Sequence, residues 1–395
     1  MNRENAMRES KLDVRMDPKI VQAMVAHLRN GTTDLAERDI HVPIDHFVNP
    51  ERARAEMALM KTLPLAVAHC SELPEPGDFI TRMVLGMPLI IARQPDGSVQ
   101  TFLNMCTHRG GRVETEDSGN RRGFTCRYHG WSFDAKGGGL RTVPYQSSFD
   151  PIDRDSHGLE RFKTEQRHGL IFVDLSNNTA RSVADYLGPE VDAQLEPWQL
   201  DQSVIVIDKT FKLDINWKLL IDGAIDLLHP QFLHPGGVGD LFETNVGVFR
   251  QYGMHGQVFT ARKKLRALLD GGQAENLGTR YMSSNLVVYP NVSVIAAPEH
   301  IELWTVWPDA DPGKATVNIR FLVRKAILTP EIEARLHKSW AILEKAASEE
   351  DWPMEEWIQQ NARLHPGGSF RYGRSELPAQ HLHRQLARDL DGREL

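Results

Sequence analysis

Two short pairs of metal-binding residue types lie in the stretch from Met105 to Trp131, "MCTHRGGRVETEDSGNRRGFTCRYHGW". Cys106 and His108 make a C-x-H pair, and Cys126 and His129 a C-x-x-H pair. Thiolates are soft ligands and imidazoles borderline ones, so four of them in two tight pairs can hold metal between two loops. The chain has three cysteines in 395 residues, too few for a disulfide framework. Structural zinc sites commonly pair cysteine with cysteine, whereas each pair here is mixed. A [2Fe–2S] cluster held by two cysteines on one iron and two histidines on the other suits two loops that each give one thiolate and one imidazole. Gly110, Gly111 and Gly130 allow close backbone approach to such a cluster, and Trp131 and Phe133 can shield it. The third cysteine, Cys70 in "AVAHCSELP", reads as a buried, inert thiol.

A second histidine-bearing stretch, "NWKLLIDGAIDLLHPQFLH", starts at Asn216. Asp226 and His229 are three apart and so share a face of an ideal helix. His229 and His234 are five apart, which an ideal helix turns roughly 140° from each other. Pro230 lies between them and distorts or ends a helix, and a broken helix can bring both imidazoles to one point. Two histidines and one carboxylate make the facial triad of non-haem Fe(II) oxygenases, with positions left open for O2. Alone, "HPQFLH" reads equally as two ordinary histidines. Behind an electron-transfer centre, it reads as the acceptor.

These residues need scaffolding. "RMDPKIVQAMVAHLRN" (15–30) predicts an amphipathic helix with Ile20, Met24 and Leu28 on one face. Residues 31–50 read as loop, and "NPERARAEMALMKTLP" as a second helix with Pro50 near its start. Between 70 and 145, short apolar runs alternate with Gly and Pro-Asp-Gly turns; "PDGS" between "LIIAR" and "VQTFLN" marks a hairpin. That is a small antiparallel β module with the Cys/His pairs at its strand turns. "HGLIFVDLS" (168–176) predicts one more strand. Further strands are expected at 243–250, 276–297, 300–307 and 316–324, then a long helical region over 329–362 interrupted by Pro353. The fold class is α+β.

The whole resembles the Rieske non-haem iron oxygenases, specifically the large (α) subunit of aromatic-ring-hydroxylating oxygenases. The resemblance rests on "CTHRG…CRYHGW" followed by Asn-Trp-Lys, Asp-x-x-His and a second histidine five on, and covers residues 40–365. It implies an N-terminal helical segment (1–44) packing on the catalytic domain, a Rieske [2Fe–2S] domain (45–165) and a helix-grip-like catalytic domain with antiparallel sheet and helices (166–395). Cys106, His108, Cys126 and His129 would hold the cluster, and His229 and His234 a mononuclear iron. The third iron ligand would be Asp351 in "SEEDWPMEEWIQQ", with Glu355 and Gln359 following and Glu349 and Glu350 as rivals. Asp226 would be no ligand but would hydrogen-bond His229 and the His129 of a neighbouring subunit. That arrangement implies a homotrimer, with or without a small β subunit. The chain departs from many members at Asp222-Gly223-Ala224, where they carry Glu-Asn-Phe. The missing Asn side chain alters the surroundings of the iron.

The implied activity is hydroxylation of an aromatic substrate with O2 and two electrons, with ring dioxygenation slightly favoured. A Rieske monooxygenase or O/N-demethylase shares the same motifs. A Rieske electron carrier or a zinc-stabilised protein would lack the second iron. No G-x-G-x-x-G motif is present, so NAD(P)H would act through a separate reductase or ferredoxin. Leu227, Leu228, Phe232, Val246, Phe249, Val294 and Trp304 are pocket candidates. Arg262, Lys263 and Lys264 in "TARKKL" could bind a substrate carboxylate, but a basic run more often lies in solvent. A net charge of −7 without a basic stripe argues against nucleic acid. No apolar run is long enough for a membrane span, and "MNRENAMRESKLDVRMD" lacks a signal peptide's apolar core, so a cytoplasmic location is expected.

Overall fold

The computed structural model describes residues 14–177, 181–270, 277–392 and 395. The opening stretch read as lacking a signal peptide lies outside them over residues 1–13. The chain forms two compact units, one of residues 60–186 and one of residues 1–59 with 187–395.

The smaller unit is the expected antiparallel β module. Its seven-stranded sheet runs in the order Pro64–His69, Leu170–Asp174, Arg161–Arg167, Val99–Leu103, Met87–Arg93, Asp78–Val84, Ser118–Asn120. A three-stranded sheet joins Gly123–Thr125, Ser132–Asp134 and Leu140–Thr142. Phe79, Phe102, Phe124, Trp131 and Phe133 form the core, together with Cys106 and Cys126. The unit ends later than 165 because Leu170–Asp174 pairs with both Arg161–Arg167 and Pro64–His69. It begins later than 45 because Pro50–Lys61 is tied into the larger unit through Arg52 to Asp391 and Glu56 to Lys218. Cys70 is half-buried rather than buried; it opens a 3-10 turn just beyond the edge strand.

The larger unit is built on a second seven-stranded antiparallel sheet, ordered Ser203–Leu213, Ala315–Arg324, Ile301–Pro308, Val292–Ala296, Met282–Val288, His255–Arg262, Phe242–Tyr252. Because successive side chains in a strand point to opposite faces, parity sorts the residues. Val246, Val248, Phe259, Ala261 and Met282 meet Ile20, Met24 and Leu28 of helix α1 (Pro18–Asn30) on one face. The other face carries Val258, Thr260, Ser283, Asn285, Ile295, Glu302 and Trp304, which line a cavity. On that side lie helices α2 (Trp217–Ile225), α3 (Pro330–Lys345), α4 (Trp352–Leu364) and α5 (Leu377–Asp391).

Two further expectations change. The strand His255–Arg262 was not anticipated, yet it pairs on both sides. Residues 31–50, read as loop, hold the strand Ile40–Pro43 and a helical turn, Asp45–Val48. That strand exists because Ser369–Tyr372, distant in sequence, pairs with it. Among the described residues no helix is long and apolar enough to cross a membrane.

Candidate metal centres

Helix α2 is held at both ends. The Asn216 side chain accepts the Lys218 N–H at 3.0 Å, and the Asn216 N–H donates to Gln359 Oε1 of α4 at 3.1 Å. At the other end, Asn285 Nδ2 donates to the Ala224 carbonyl at 2.8 Å. The chain leaves α2 at Asp226, whose backbone is extended (φ −76°, ψ 136°). Asp226 and His229 therefore do not share a helix face, contrary to the spacing argument. Instead Asp226 Oδ1 accepts the Leu228 N–H at 2.6 Å, the local turn a short carboxylate makes with an N–H two residues on. This leaves Oδ2 3.4 Å from His229 Nδ1. Pro230 opens a separate single turn, Pro230–Leu233, with His229 just before it and His234 just after. The two imidazoles lie 5.3 Å apart between ring centroids and are inclined at 79°.

Asp351 comes from the long helical region. Between α3 and α4 the chain makes a π-helical turn, Ala346–Asp351, and Pro353 falls in the first turn of α4. Pro353 has no N–H to donate to the preceding turn, and such widened turns are frequent at functional sites. Asp351 Oδ1 lies 2.9 Å from His234 Nε2 and 3.4 Å from His229 Nε2. His229, His234 and Asp351 are, among the described residues, the one group of three metal-binding side chains whose ligand atoms all lie within 4.8 Å of each other. Glu350 goes elsewhere: its Oε2 meets His234 Nδ1 at 2.5 Å. Each imidazole thus has a carboxylate at Nδ1 and turns Nε2 toward Asp351. The donor set fits one divalent ion of the iron type.

The charges agree with the geometry. Burial lowers the His229 pKa, but Asp226 and Asp351 outweigh it and raise it to about 9. His234 is raised too, burial being outweighed by Asp351 and Glu350. Burial opposes ionisation of Asp351, yet the two imidazoles hold its carboxyl below the usual range.

The Cys/His loops share one construction. The Cys106 N–H donates to Gly111 O (2.7 Å) and the Gly110 N–H to Cys106 O (2.8 Å). The Cys126 N–H donates to Trp131 O (2.9 Å) and the Gly130 N–H to Cys126 O (2.9 Å). Closing each loop needs a left-handed residue, supplied by Gly110 (φ 76°) and Gly130 (φ 71°). The cysteines are buried while His129 is exposed and His108 half-buried, and the two imidazoles lie 4.6 Å apart between ring centroids. His108 stacks on Trp131 at 4.9 Å. Ligands of one zinc lie at most about 4.6 Å from each other. These four do not form such a group, as a two-iron cluster with sulfur and nitrogen ends requires.

The comparisons with known proteins follow the same division. Residues 64–163 match the family described as Rieske [2Fe-2S] domain, and residues 196–392 the family described as ring hydroxylating alpha subunit (catalytic domain). The chain belongs to the Rieske ring-hydroxylating oxygenase family. It is similar to the anthranilate 1,2-dioxygenase large subunit of Burkholderia cepacia, 33% identical over 47% of this chain and 43% of that one. It is also similar to the benzene 1,2-dioxygenase subunit alpha of Pseudomonas putida, 29% identical over 61% of each. These matches span less than two thirds of either relative's length. Among solved structures it shares its fold with the quaternary ammonium Rieske monooxygenase CntA (TM-score 0.77, 19% identity, 96% of this chain and 99% of that one). Naphthalene 1,2-dioxygenase from a Rhodococcus species gives a TM-score of 0.70 at 20% identity, covering 94% and 98%.

Within this family architecture a cavity of about 220 Å³ opens onto His229, His234 and Asp351. Of the pocket candidates, Leu227 and Trp304 line it. Phe232 is exposed, and Val246 and Val294 are buried on the opposite sheet face. Phe249 borders a smaller cavity beside His381. The contacts of three further residues escaped sequence reasoning. One is Glu350, which takes an imidazole rather than a metal. Another is Glu56, which binds Trp217 Nε1 at 2.8 Å and Lys218 Nζ at 2.7 Å. The third is Glu355, four residues after Asp351, whose carboxyl fills the space beside Gly223; a Cβ there would overlap its Oε1. Burial, with Asp351 adding to it, pushes the Glu355 carboxyl well above the usual range. The absent Asn side chain thus leaves no void, because Glu355 occupies it.

Proposed function

We propose that this chain is the terminal oxygenase component of a cytoplasmic system that hydroxylates an aromatic substrate with O2. The two electrons come from NAD(P)H through a reductase or ferredoxin. The observation carrying this reading is the convergence of His229 Nε2, His234 Nε2 and Asp351 Oδ1 on one point beside a cavity, in a chain that also has the Cys106/His108/Cys126/His129 loops. His229, His234 and Asp351 would hold the mononuclear iron, and the four loop residues the Rieske cluster. When bound, the two centres supply O2 activation and electron storage. The protein's part is positioning. Asp226 and Glu350 accept the Nδ1 protons of His229 and His234, which fixes the tautomer and aims each Nε2. Leu227, Val258, Ile295 and Trp304 give the cavity apolar walls that hold a ring and exclude water.

The relatives named as dioxygenases favour insertion of both oxygen atoms. Labelled O2 distinguishes this from monooxygenation, by two labelled oxygens in the product rather than one. Asp226 would also receive the His129 of a neighbouring subunit in a head-to-tail trimer, linking two chains into one electron path.

The decisive measurement is the EPR spectrum of anaerobic, dithionite-reduced protein, with iron and acid-labile sulfide counted on the same sample. The expected result is a Rieske signal and iron in excess of that in the cluster. D351A should lose that excess iron and keep the signal. A zinc-bound protein without the signal would overturn the reading. Full iron retention in D351A would move the third ligand to Glu349 or Glu350.

A further inference from the structure

Arg262 lines the same cavity as His229, His234 and Asp351. It ends the strand His255–Arg262, in which every second residue, Val258, Thr260 and Arg262, borders the cavity. The next two residues begin a helix, Lys263–Asp270, and both Lys263 and Lys264 are exposed. The basic run "TARKKL" therefore divides into one guanidinium in the cavity and two ammonium groups in solvent.

Among the described residues Arg262 makes no ion pair, and its Nε is buried without a hydrogen-bond partner. Its guanidinium carbon lies 5.0 Å from the ring centroid of Phe242. That contact orients the group without satisfying its donors. Four acids border the cavity, and each has another partner; Asp226 meets His229, and Asp351 meets His229 and His234. Glu243 binds Arg266 through two contacts of 2.9 and 3.0 Å. Glu302 Oε2 accepts the Trp304 Nε1–H at 3.1 Å, and its Oε1 lies 3.4 Å from His300 Nε2. A buried cationic donor left unmet costs free energy. A planar carboxylate entering the cavity pairs with the guanidinium, because its two oxygens match the fork of N–H groups. The rest of the wall is mainly apolar, and about 220 Å³ is below the range of roughly 300–1,000 Å³ typical of drug-sized ligands. That size and lining suit a single ring.

We propose that Arg262 is a specificity-determining residue that binds the carboxylate of a single-ring aromatic acid. The proposal rests on the oxygenase reading of the neighbouring triad and adds the substrate class. Equilibrium dialysis of iron-loaded protein against radiolabelled benzoate and, separately, benzamide tests it, with iron content and melting temperature recorded for every sample. Wild type should bind benzoate about tenfold or more tightly than benzamide. R262Q should lose about tenfold or more on benzoate with benzamide unchanged, and R262K should restore part of the loss. Equal affinity of wild type for acid and amide, absence of benzoate binding, or unchanged benzoate binding in a folded R262Q would each overturn it. Dialysis reads binding rather than turnover, so failure of the oxygenase reading would register separately, in the iron content.

Discussion

His229 shows how much a few ångströms of placement change a side chain's chemistry. Between Asp226 and Asp351, its pKa of about 9 makes it a cation at neutral pH in metal-free protein. An incoming metal must displace that proton from Nε2. Below pH 9 the apparent affinity for Fe(II) should therefore rise with pH, by up to about tenfold per unit for each proton released. His234 is raised as well and steepens the dependence. Fe(II) titrations between pH 6 and 9 check this; a flat profile would mean that both imidazoles are already neutral. The aspartate-histidine spacing was visible in sequence, but its meaning was misread. Three residues on a helix and three residues across a local turn have the same separation in the chain, and only the backbone at Asp226 distinguishes them.

At the level of elements, the site depends on how α2 and α4 are fixed. Asn216 and Gln359 join them, and Lys218 enters a buried pocket with Glu56, Trp217 and Arg52. Lys218 and Glu56 are both 1% exposed. Breaking such a pair leaves an uncompensated buried charge, and K218M should cost about 3–5 kcal/mol. Urea denaturation of metal-free protein measures this, and a loss under about 1 kcal/mol would show that Arg52 and Trp217 suffice for Glu56. The Asn-Trp-Lys segment was legible as a motif, yet its partner Glu56 lies in an unremarkable helix far earlier in the chain. The strand His255–Arg262 was missed altogether. With it went the distinction between Arg262 and its two lysine neighbours, because a residue's face cannot be assigned before its strand is recognised.

At the scale of the whole molecule, the proposed function requires the two candidate metal centres, one on each compact unit, to act as one system. If Asp226 couples them between neighbouring chains, D226N should keep the Rieske signal and the full iron content but lose nearly all product formation. Single-turnover assays and EPR on the same preparation would show this. Normal turnover in D226N would remove Asp226 from the electron path.

The sequence by itself determined the α+β class and the family, and it singled out the Cys/His loops and the two histidines as candidate metal ligands. Each is carried by residue types at short, fixed spacings, which survive any folding of the rest. Tertiary structure alone decided which glutamate supports His234. It also decided what fills the space at Gly223 and that Arg262 borders the cavity while its two lysine neighbours do not. Those outcomes depend on strand parity, on a π-helical turn and on contacts between residues far apart in the chain. Local spacing cannot encode where such partners meet.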